Sequence, residues 1–405
     1  MSKCYQFVLS SAYICRGYMT NMPKQYFERL RLNILGGLGL LLSAGCLAQD
    51  TGKSWFGPGT GIEANALAGK VFKHEAKFTL PIPAISAGVD VNWEWHTYGR
   101  KEWEQRLGYP RLGLAFMYIN YGIDSIYGHC FGLYPNLTLP LYTGKKLEWT
   151  LRIGDGIGYV TQTYSRKNPV DTINVAIGSH FNDLLMLMTD IRYRINPHWD
   201  MQLGANITHI SNGSFRKPNL GVNMAGGHIG ISYFPITSKP VRITKDLQPL
   251  KNRYLFQFRG GMSLVSSYTP GGPLYPVYVA TAYVSRRWHS SNKVFAGLDY
   301  SYHDNIYAFL RNNELETGVE GKHSYKSAII AGNEFMIGRV AVTLQAGIYI
   351  KQAYIYTADV YEKVGGSYYF VLKERGPIKE LFLFTFLKTH LSVAEFGEMG
   401  LGIGL

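Results

Sequence analysis

The sequence has little charge, few usable cysteines and no long apolar run beyond its first fifty residues. Charged residues make up only 17% of the chain. Three of the four cysteines, Cys4, Cys15 and Cys46, lie in the first 48 residues. If residues 1–48 are a leader that is removed, as their sequence indicates below, Cys130 is the one cysteine left. No disulfide and no thiol-metal site can then be built from cysteine pairs. A membrane-spanning helix needs about 20 consecutive apolar residues, and the chain after its N-terminal segment offers no such run.

What the sequence does contain is glycine and aromatic residues. It has 45 Gly and 30 Tyr, an aromatic share of 14%, a mean hydropathy of -0.07 and a net charge of +13. This mixture is typical of alternating strands rather than helices. It suits a membrane barrel with a polar lumen and an aromatic girdle.

The N-terminus resembles an export signal. Lys24, Arg29 and Arg31 precede an apolar run and a small-residue site ending at Ala48, as in a secretory signal peptide. We predict cleavage after Ala48, with residues 1–21 forming an extension upstream of a start at Met22. Lipidation of Cys46 and a single N-terminal membrane anchor are the alternatives.

Short alternating segments separated by turns rich in Gly, Pro, Asn and Lys predict many strands. We expect them near residues 62–75, 86–98, 111–120, 127–141, 147–163, 183–195, 200–211, 222–234, 252–266, 276–289, 293–303, 324–336, 339–352, 366–373, 380–391 and 396–405.

This pattern predicts an all-β fold: an antiparallel transmembrane β-barrel of the outer-membrane type with about fourteen to sixteen strands. Residues 1–48 would be the upstream extension and signal peptide, and residues 49–405 the barrel. Within it, residues 49–235 would carry the site and 236–405 would add strands. We expect one continuous barrel. The alternative is that residues 236–250, with Pro240 and Pro249, link two smaller barrels.

One strand ends in a histidine and a serine two residues apart. Met201, Leu203, Ile207, His209 and Ser211 share the apolar side of an alternating strand. In a soluble sheet such a pair would most often be structural. On the outer wall of a membrane barrel, ionisable groups are costly and usually functional.

The residues around this pair resemble a known family. The runs His209-Ile210-Ser211-Asn212-Gly213 and Pro218-Asn219-Leu220-Gly221 are similar to the signature of the lipid A 3-O-deacylase (PagL) family of outer-membrane barrel esterases. The resemblance is clearest over about residues 175–235. It implies an eight-stranded barrel that removes an ester-linked acyl chain from lipid A at a site facing lipid. The second half of the chain is not explained by it.

The resemblance also implies roles for individual residues. Ser211 matches the family nucleophile, His209 its general base, and Asn219 an asparagine near the oxyanion. A serine needs a neighbouring imidazole to take its proton, and the tetrahedral oxyanion needs donors placed in advance. Asn212, Asn219 and the Gly213 backbone N–H are the candidate donors. Asn212 has an equally good alternative role in shaping the turn.

The family's acidic third member falls on Asn223. An asparagine carbonyl can still accept a hydrogen bond from imidazole Nδ1 and set its tautomer, as in Cys-His-Asn enzymes, whereas loss of the acid from a serine protease triad costs about 10⁴ in kcat. Asp183, at the start of the preceding strand and level with Ser211, is the alternative acid.

Loop lengths predict the orientation of the site. The turn before residue 200 is short, whereas the loop of residues 212–221 is long. In bacterial outer-membrane barrels the long loops are at the outer end, so we expect His209 and Ser211 to lie there. Lipid A lies in that leaflet. Arg216 and Lys217 could meet its phosphates or simply keep the loop solvated.

The predicted activity is ester hydrolysis without a cofactor or metal, since His180 and His228 have no neighbouring ligand pattern. The partners would be lipid A and the outer membrane, with no nucleic acid; a homodimer is left open. The rival function is a porin or lipid-transport barrel with a vestigial motif, and a third is a purely structural barrel. Thr389-His390-Leu391-Ser392 repeats the T-H-x-S pattern, which we interpret as a duplicated hairpin without chemistry.

Overall fold

The computed structural model describes residues 57–73, 78–165, 173–238, 241–247, 254–266, 272–289, 291–391 and 393–405. The predicted leader, residues 1–48, lies outside them, and cleavage after Ala48 stays a prediction.

Sixteen antiparallel strands make up most of the described chain. They are β1 (Thr60–Val71), β2 (Ser86–His96), β3 (Arg111–Asn120), β4 (His129–Thr143), β5 (Leu147–Val160), β6 (Phe181–Arg194), β7 (Trp199–Ser211), β8 (Val222–Tyr233), β9 (Tyr254–Ser266), β10 (Leu274–His289), β11 (Asn292–His303), β12 (Tyr325–Ile337), β13 (Val340–Lys351), β14 (Val360–Leu372), β15 (Glu380–His390) and β16 (Val393–Gly404).

Helical structure in the described residues is short. Helix α1 (Glu102–Arg106) lies between β2 and β3. Helix α2 (Asp304–Asn312) and a 3₁₀ turn (Glu320–His323) lie between β11 and β12. No helix in the described ranges has the length and apolar character needed to cross a membrane.

The strands form two closed barrels of eight, not one continuous barrel. β1 pairs with β8 through Ile62 and Tyr233, and β9 pairs with β16 through Phe258 and Ile403. The all-β antiparallel prediction is therefore confirmed, while the preference for a single barrel is wrong. Eight strands enclose a space that side chains just fill, so each half can close by itself. The last strand of the first barrel ends at Tyr233, and the Ile243 N–H farther along the chain donates to Tyr98 O of the first barrel at 2.8 Å.

Alternation along each strand separates a lumen face from an outer face. In β7 the outward Met201, Leu203 and Ile207 are exposed, whereas the inward Gln202 and Asn206 are buried. This is the pattern of a membrane barrel, in which apolar side chains face lipid.

The lumen of the first barrel is filled by paired charges. Arg152 bonds to Glu63 and, at 3.0 Å, to Asp90, while Arg192 bonds to Glu63 and lies 3.5 Å from Glu94. All five side chains are at most 1% exposed. Buried ions of this kind require partners, and these residues leave the first barrel with a packed interior.

The lumen of the second barrel is filled by lysine and arginine side chains together with carboxylates and aromatic rings. Lys293 Nζ lies 2.6 Å from Glu334 Oε2 and 2.9 Å from Glu380 Oε2. The Arg259 guanidinium lies over the rings of Tyr283 and Phe386, each at 4.8 Å.

Candidate active site

Strand β7 places His209 and Ser211 on the outer wall of the first barrel. They follow the exposed Ile207 at the period of two that defines one face of a strand. The strand ends at Ser211, where the loop of residues 212–221 begins. We call the end of the two barrels that carries this loop and helix α2 the loop end.

His209 bridges Asn223 and Ser211. Its Nδ1 lies 2.6 Å from Asn223 Oδ1, and its Nε2 lies 3.1 Å from Ser211 Oγ. Asn223 is positioned by β8, where it pairs directly with His209. An amide oxygen that accepts from Nδ1–H leaves Nε2 as an acceptor for the serine proton. These contacts meet the geometric requirement for a nucleophile, a base and an orienting group, namely a chain of hydrogen bonds through the imidazole.

Gly221 packs against this pair. Its φ is +75°, and a Cβ there would lie 3.1 Å from His209 Cε1 and 3.3 Å from Ser211 Cβ. The Gly221 N–H donates to Ala176 O at 2.9 Å. Gly221 ends the P-N-x-G run, and a side chain at this position would press on both functional groups.

The three predicted oxyanion donors differ in their hydrogen bonds and in their surroundings. Asn212 uses its side chain within the structure, because Nδ2 donates to Ser179 Oγ at 2.8 Å and to Arg216 O at 2.9 Å. Asn219 Oδ1 accepts from the Asn212 N–H at 3.0 Å, and the residue lines the cavity described below. Gly213 has φ +58° and is buried beside the second barrel.

Asp183 lies level with Ser211, as expected, because the two residues pair across β6 and β7. Its carboxyl group contacts that of Asp155. The contact at His209 Nδ1 is made by Asn223, so the geometry favours Asn223 as the orienting residue.

The sequence had suggested that His209 and Ser211, the dyad, face open hydrocarbon. In the structure they do not. Ser211 is only 5% exposed, and the second barrel contacts the loop that follows it. Ser214 Oγ donates to Ala394 O at 2.8 Å. Both His209 and Ser211 open into a cavity of about 610 Å³ that is lined by residues of both barrels.

The second barrel contributes ionisable side chains to this cavity. His303, Lys326, His390 and Glu395 all line it. Lys326 Nζ lies 2.6 Å from Glu395 Oε1, and Lys388 Nζ lies 3.2 Å from Glu395 Oε2.

Sequence reasoning missed most of these groups. They come from strands distant in sequence, and no local motif marks them. The T-H-x-S repeat was the only available signal, since it contains His390; its Ser392 lies outside the described residues.

Of the two basic loop residues, Lys217 lines the cavity. Burial lowers the pKa of its ammonium group. The Arg216 guanidinium instead lies 5.9 Å from the centre of the Phe215 ring. In the part of the chain that the structure describes, no group of three or more His, Cys, Asp or Glu residues is placed to hold a metal ion.

Comparison with known families defines the class first. Residues 87–232 match the family described as lipid A 3-O-deacylase (PagL), and residues 252–405 match the acyloxyacyl hydrolase C-terminal domain. The chain is therefore a β-barrel protein of the bacterial outer membrane.

More particularly, the first barrel is similar to the lipid A 3-O-deacylase (PagL) family over residues 87–232, and the second barrel is similar to the acyloxyacyl hydrolase C-terminal domain over residues 252–405. These families are hydrolases that act on lipid A.

Two solved structures are similar over the length of one barrel. Neisserial surface protein A is 14% identical, with a TM-score of 0.31, covering 43% of this chain and 96% of that one. The outer-membrane enzyme PagL is 15% identical, with a TM-score of 0.27, covering 41% and 97%. No curated protein matches the chain.

Proposed function

We propose that this protein hydrolyses an ester-linked acyl chain of lipid A, with Ser211 as nucleophile, His209 as general base and Asn223 as the residue that orients the imidazole. The observation that carries the proposal is the pair of contacts made by His209, at 2.6 Å to Asn223 and 3.1 Å to Ser211.

The chemistry follows from these contacts. Ser211 Oγ attacks the ester carbonyl carbon while its proton passes to His209 Nε2. The tetrahedral intermediate collapses, the ester C–O bond breaks, and the alcohol of the deacylated lipid A leaves with that proton. Water then attacks the acyl-enzyme, with His209 again taking a proton, and releases the fatty acid and free Ser211.

Two groups are the candidates for stabilising the oxyanion. Asn219 lines the cavity with its Oδ1 already engaged by Asn212, which leaves its Nδ2 to donate. The Gly213 N–H is the second candidate. Donors fixed before the reaction lower the barrier without reorganising during it.

The cavity also suits an acyl chain. Leu220 of the first barrel and Leu387, Val393 and Phe396 of the second line it alongside Ser211. Both barrels therefore contribute apolar side chains to the cavity that contains Ser211. In the orientation predicted from loop lengths, this cavity lies at the outer leaflet, where lipid A is found.

Buried ion pairs fill the first lumen, and this argues against the rival function of an open porin. The T-H-x-S repeat likewise offers no second outward pair, since His390 lies on the lumen side of its strand.

The proposal is tested by mass spectrometry of lipid A from cells producing the full chain. We expect the wild type to remove one acyl chain and His209→Ala to remove none, because the serine proton then has no acceptor. The matched control is His129→Ala, another half-buried histidine at the loop end, whose Nδ1 lies 2.9 Å from Tyr118 OH.

Heat-modifiable migration reports whether each variant forms its barrels. Unchanged lipid A in cells with folded wild-type protein would contradict the proposed function. Full activity in folded His209→Ala would contradict the mechanism.

A further inference from the structure

The second barrel carries a group of cationic side chains at its mouth, on the side of the cavity facing Ser211. Lys326 and Lys388 are each 1% exposed and share the single carboxylate of Glu395. Lys217 approaches the same cavity from the first barrel. Two ammonium groups, those of Lys326 and Lys217, therefore line the cavity, and that of Lys388 lies 3.2 Å from Glu395 Oε2.

Neutral polar side chains also line the cavity, and among them the Ser266 hydroxyl is the one that can donate to an anion. Ser266 is fully buried and Asn305 is partly buried, and both line it. Among the described residues, Ser266 Oγ and Asn305 Oδ1 have no hydrogen-bond partner. A buried hydroxyl without a partner is costly, and a ligand that accepts its hydrogen bond would remove this cost.

The histidine beside them is held in place by hydrogen bonds. His390 Nε2 lies 3.0 Å from Tyr349 OH and 3.2 Å from Thr357 Oγ1. Lys326 Nζ donates to the same Thr357 hydroxyl at 3.2 Å. The lysine is thus fixed between Glu395 and Thr357 at the wall of the cavity.

We propose that the mouth of the second barrel binds a phosphate group of the lipid A substrate, with Lys326 and Lys217 as positioning residues. A phosphate monoester carries up to two negative charges and several acceptor oxygens, which match clustered ammonium and hydroxyl donors. The site binds the sugar phosphate while the acyl ester lies at Ser211. This inference rests on the proposed function for the identity of the lipid.

The test measures binding in the Ser211→Ala background of the full chain, so that it does not depend on hydrolysis. Two lipid A samples with the same acyl chains are compared, one phosphorylated and one dephosphorylated. We expect the phosphorylated lipid to bind at least about tenfold more tightly, since hydrogen bonds between charged partners are of that strength.

Adding Lys326→Gln should reduce this preference to about twofold or less. The matched control is Lys351→Gln, at the same end of the second barrel, where Nζ lies 2.6 Å from Lys322 O and outside the cavity lining. It should keep the preference. Should Lys326→Gln fail the heat-modifiability test, Lys217→Gln takes its place, with an expected loss of about threefold or more.

Equal binding of the two lipids by the Ser211→Ala protein would overturn the proposal, as would a preference retained in folded Lys326→Gln and Lys217→Gln.

Competition with inorganic phosphate distinguishes a lipid headgroup from free phosphate as the source of the anion. Weak competition at millimolar concentration is expected for a headgroup site, whereas tight phosphate binding without a lipid preference would assign the site to free phosphate and overturn the inference. Loss of deacylation in the wild type, with the lipid preference intact, would contradict only the proposed function.

Discussion

Each barrel contains a histidine and a serine two residues apart at the loop end of a strand, and the two pairs differ in their surroundings. His209 Nε2 lies 3.1 Å from Ser211 Oγ on the outer wall of the first barrel. His303 Nε2 lies 3.0 Å from Ser301 Oγ inside the second. The distances are nearly equal, so proximity by itself does not distinguish a catalytic pair.

The two pairs differ in the group that contacts the imidazole and in whether the serine faces the cavity. His209 has an amide oxygen at Nδ1 and a serine that faces the cavity. The His303 ring packs edge-on against Phe396, with centroids 5.7 Å apart, and Ser301 points into the lumen, away from the cavity lining. A general base needs both an orienting acceptor and a substrate within reach. We infer that only the first pair meets these conditions.

The strongest contrast should come from the two serines. Ser211→Ala is expected to lower kcat for lipid A deacylation by about 10³-fold or more, as in other serine hydrolases. Ser301→Ala should change it less than about twofold. Purified proteins assayed in detergent with lipid A would check both. A comparable loss in folded Ser301→Ala would mean that the lumen pair takes part.

The second largest effect should come from the orienting residue. Asn223→Leu removes the acceptor at Nδ1, so kcat should fall about a hundredfold. Asn223→Asp restores the acid of the family pattern and should raise kcat above wild type, because a carboxylate stabilises the imidazolium that forms. Steady-state kinetics of folded variants would measure both. Unchanged kcat in Asn223→Leu would show that another group orients His209.

A smaller effect is expected from the backbone beneath the dyad. Gly221→Ala places a Cβ 3.1 Å from His209 Cε1 at a φ of +75°, which should displace the imidazole and lower kcat about tenfold.

The control is Gly318→Ala, where φ is +82° but a Cβ meets nothing within 4 Å. Both changes carry a backbone penalty of about 1–2 kcal/mol, and only the first should affect catalysis. Equal kinetics for the two variants would refute a role for packing at Gly221.

The smallest effect should come from Asp183→Asn. Because Asn223 already occupies the contact at Nδ1, we expect kcat to change by less than about threefold. A loss of a hundredfold would instead identify Asp183 as the acid of the site.

Strand positions could be predicted from the sequence because side chains alternate with a period of two, and lipid and lumen demand opposite polarity. The segment predicted near residues 366–373, for example, overlaps the second half of β14 (Val360–Leu372). The pairing of His209 with Asn223 was also within reach, since the hairpin of β7 and β8 brings nearby residues together. The number of barrels could not be predicted from the sequence, because the same alternating strands could close into one barrel or into two.

The chain's own residues set its all-β architecture and its outward H-x-S pair, because both depend on local alternation and on a motif within one hairpin. Tertiary structure decided that eight strands close before the next eight begin. It also decided that Ser211 lies in a cavity shared with the second barrel. That cavity brings Ser211 together with Lys326 and Glu395, residues more than a hundred positions away, and only the packing of two closed sheets can place such distant groups around one space.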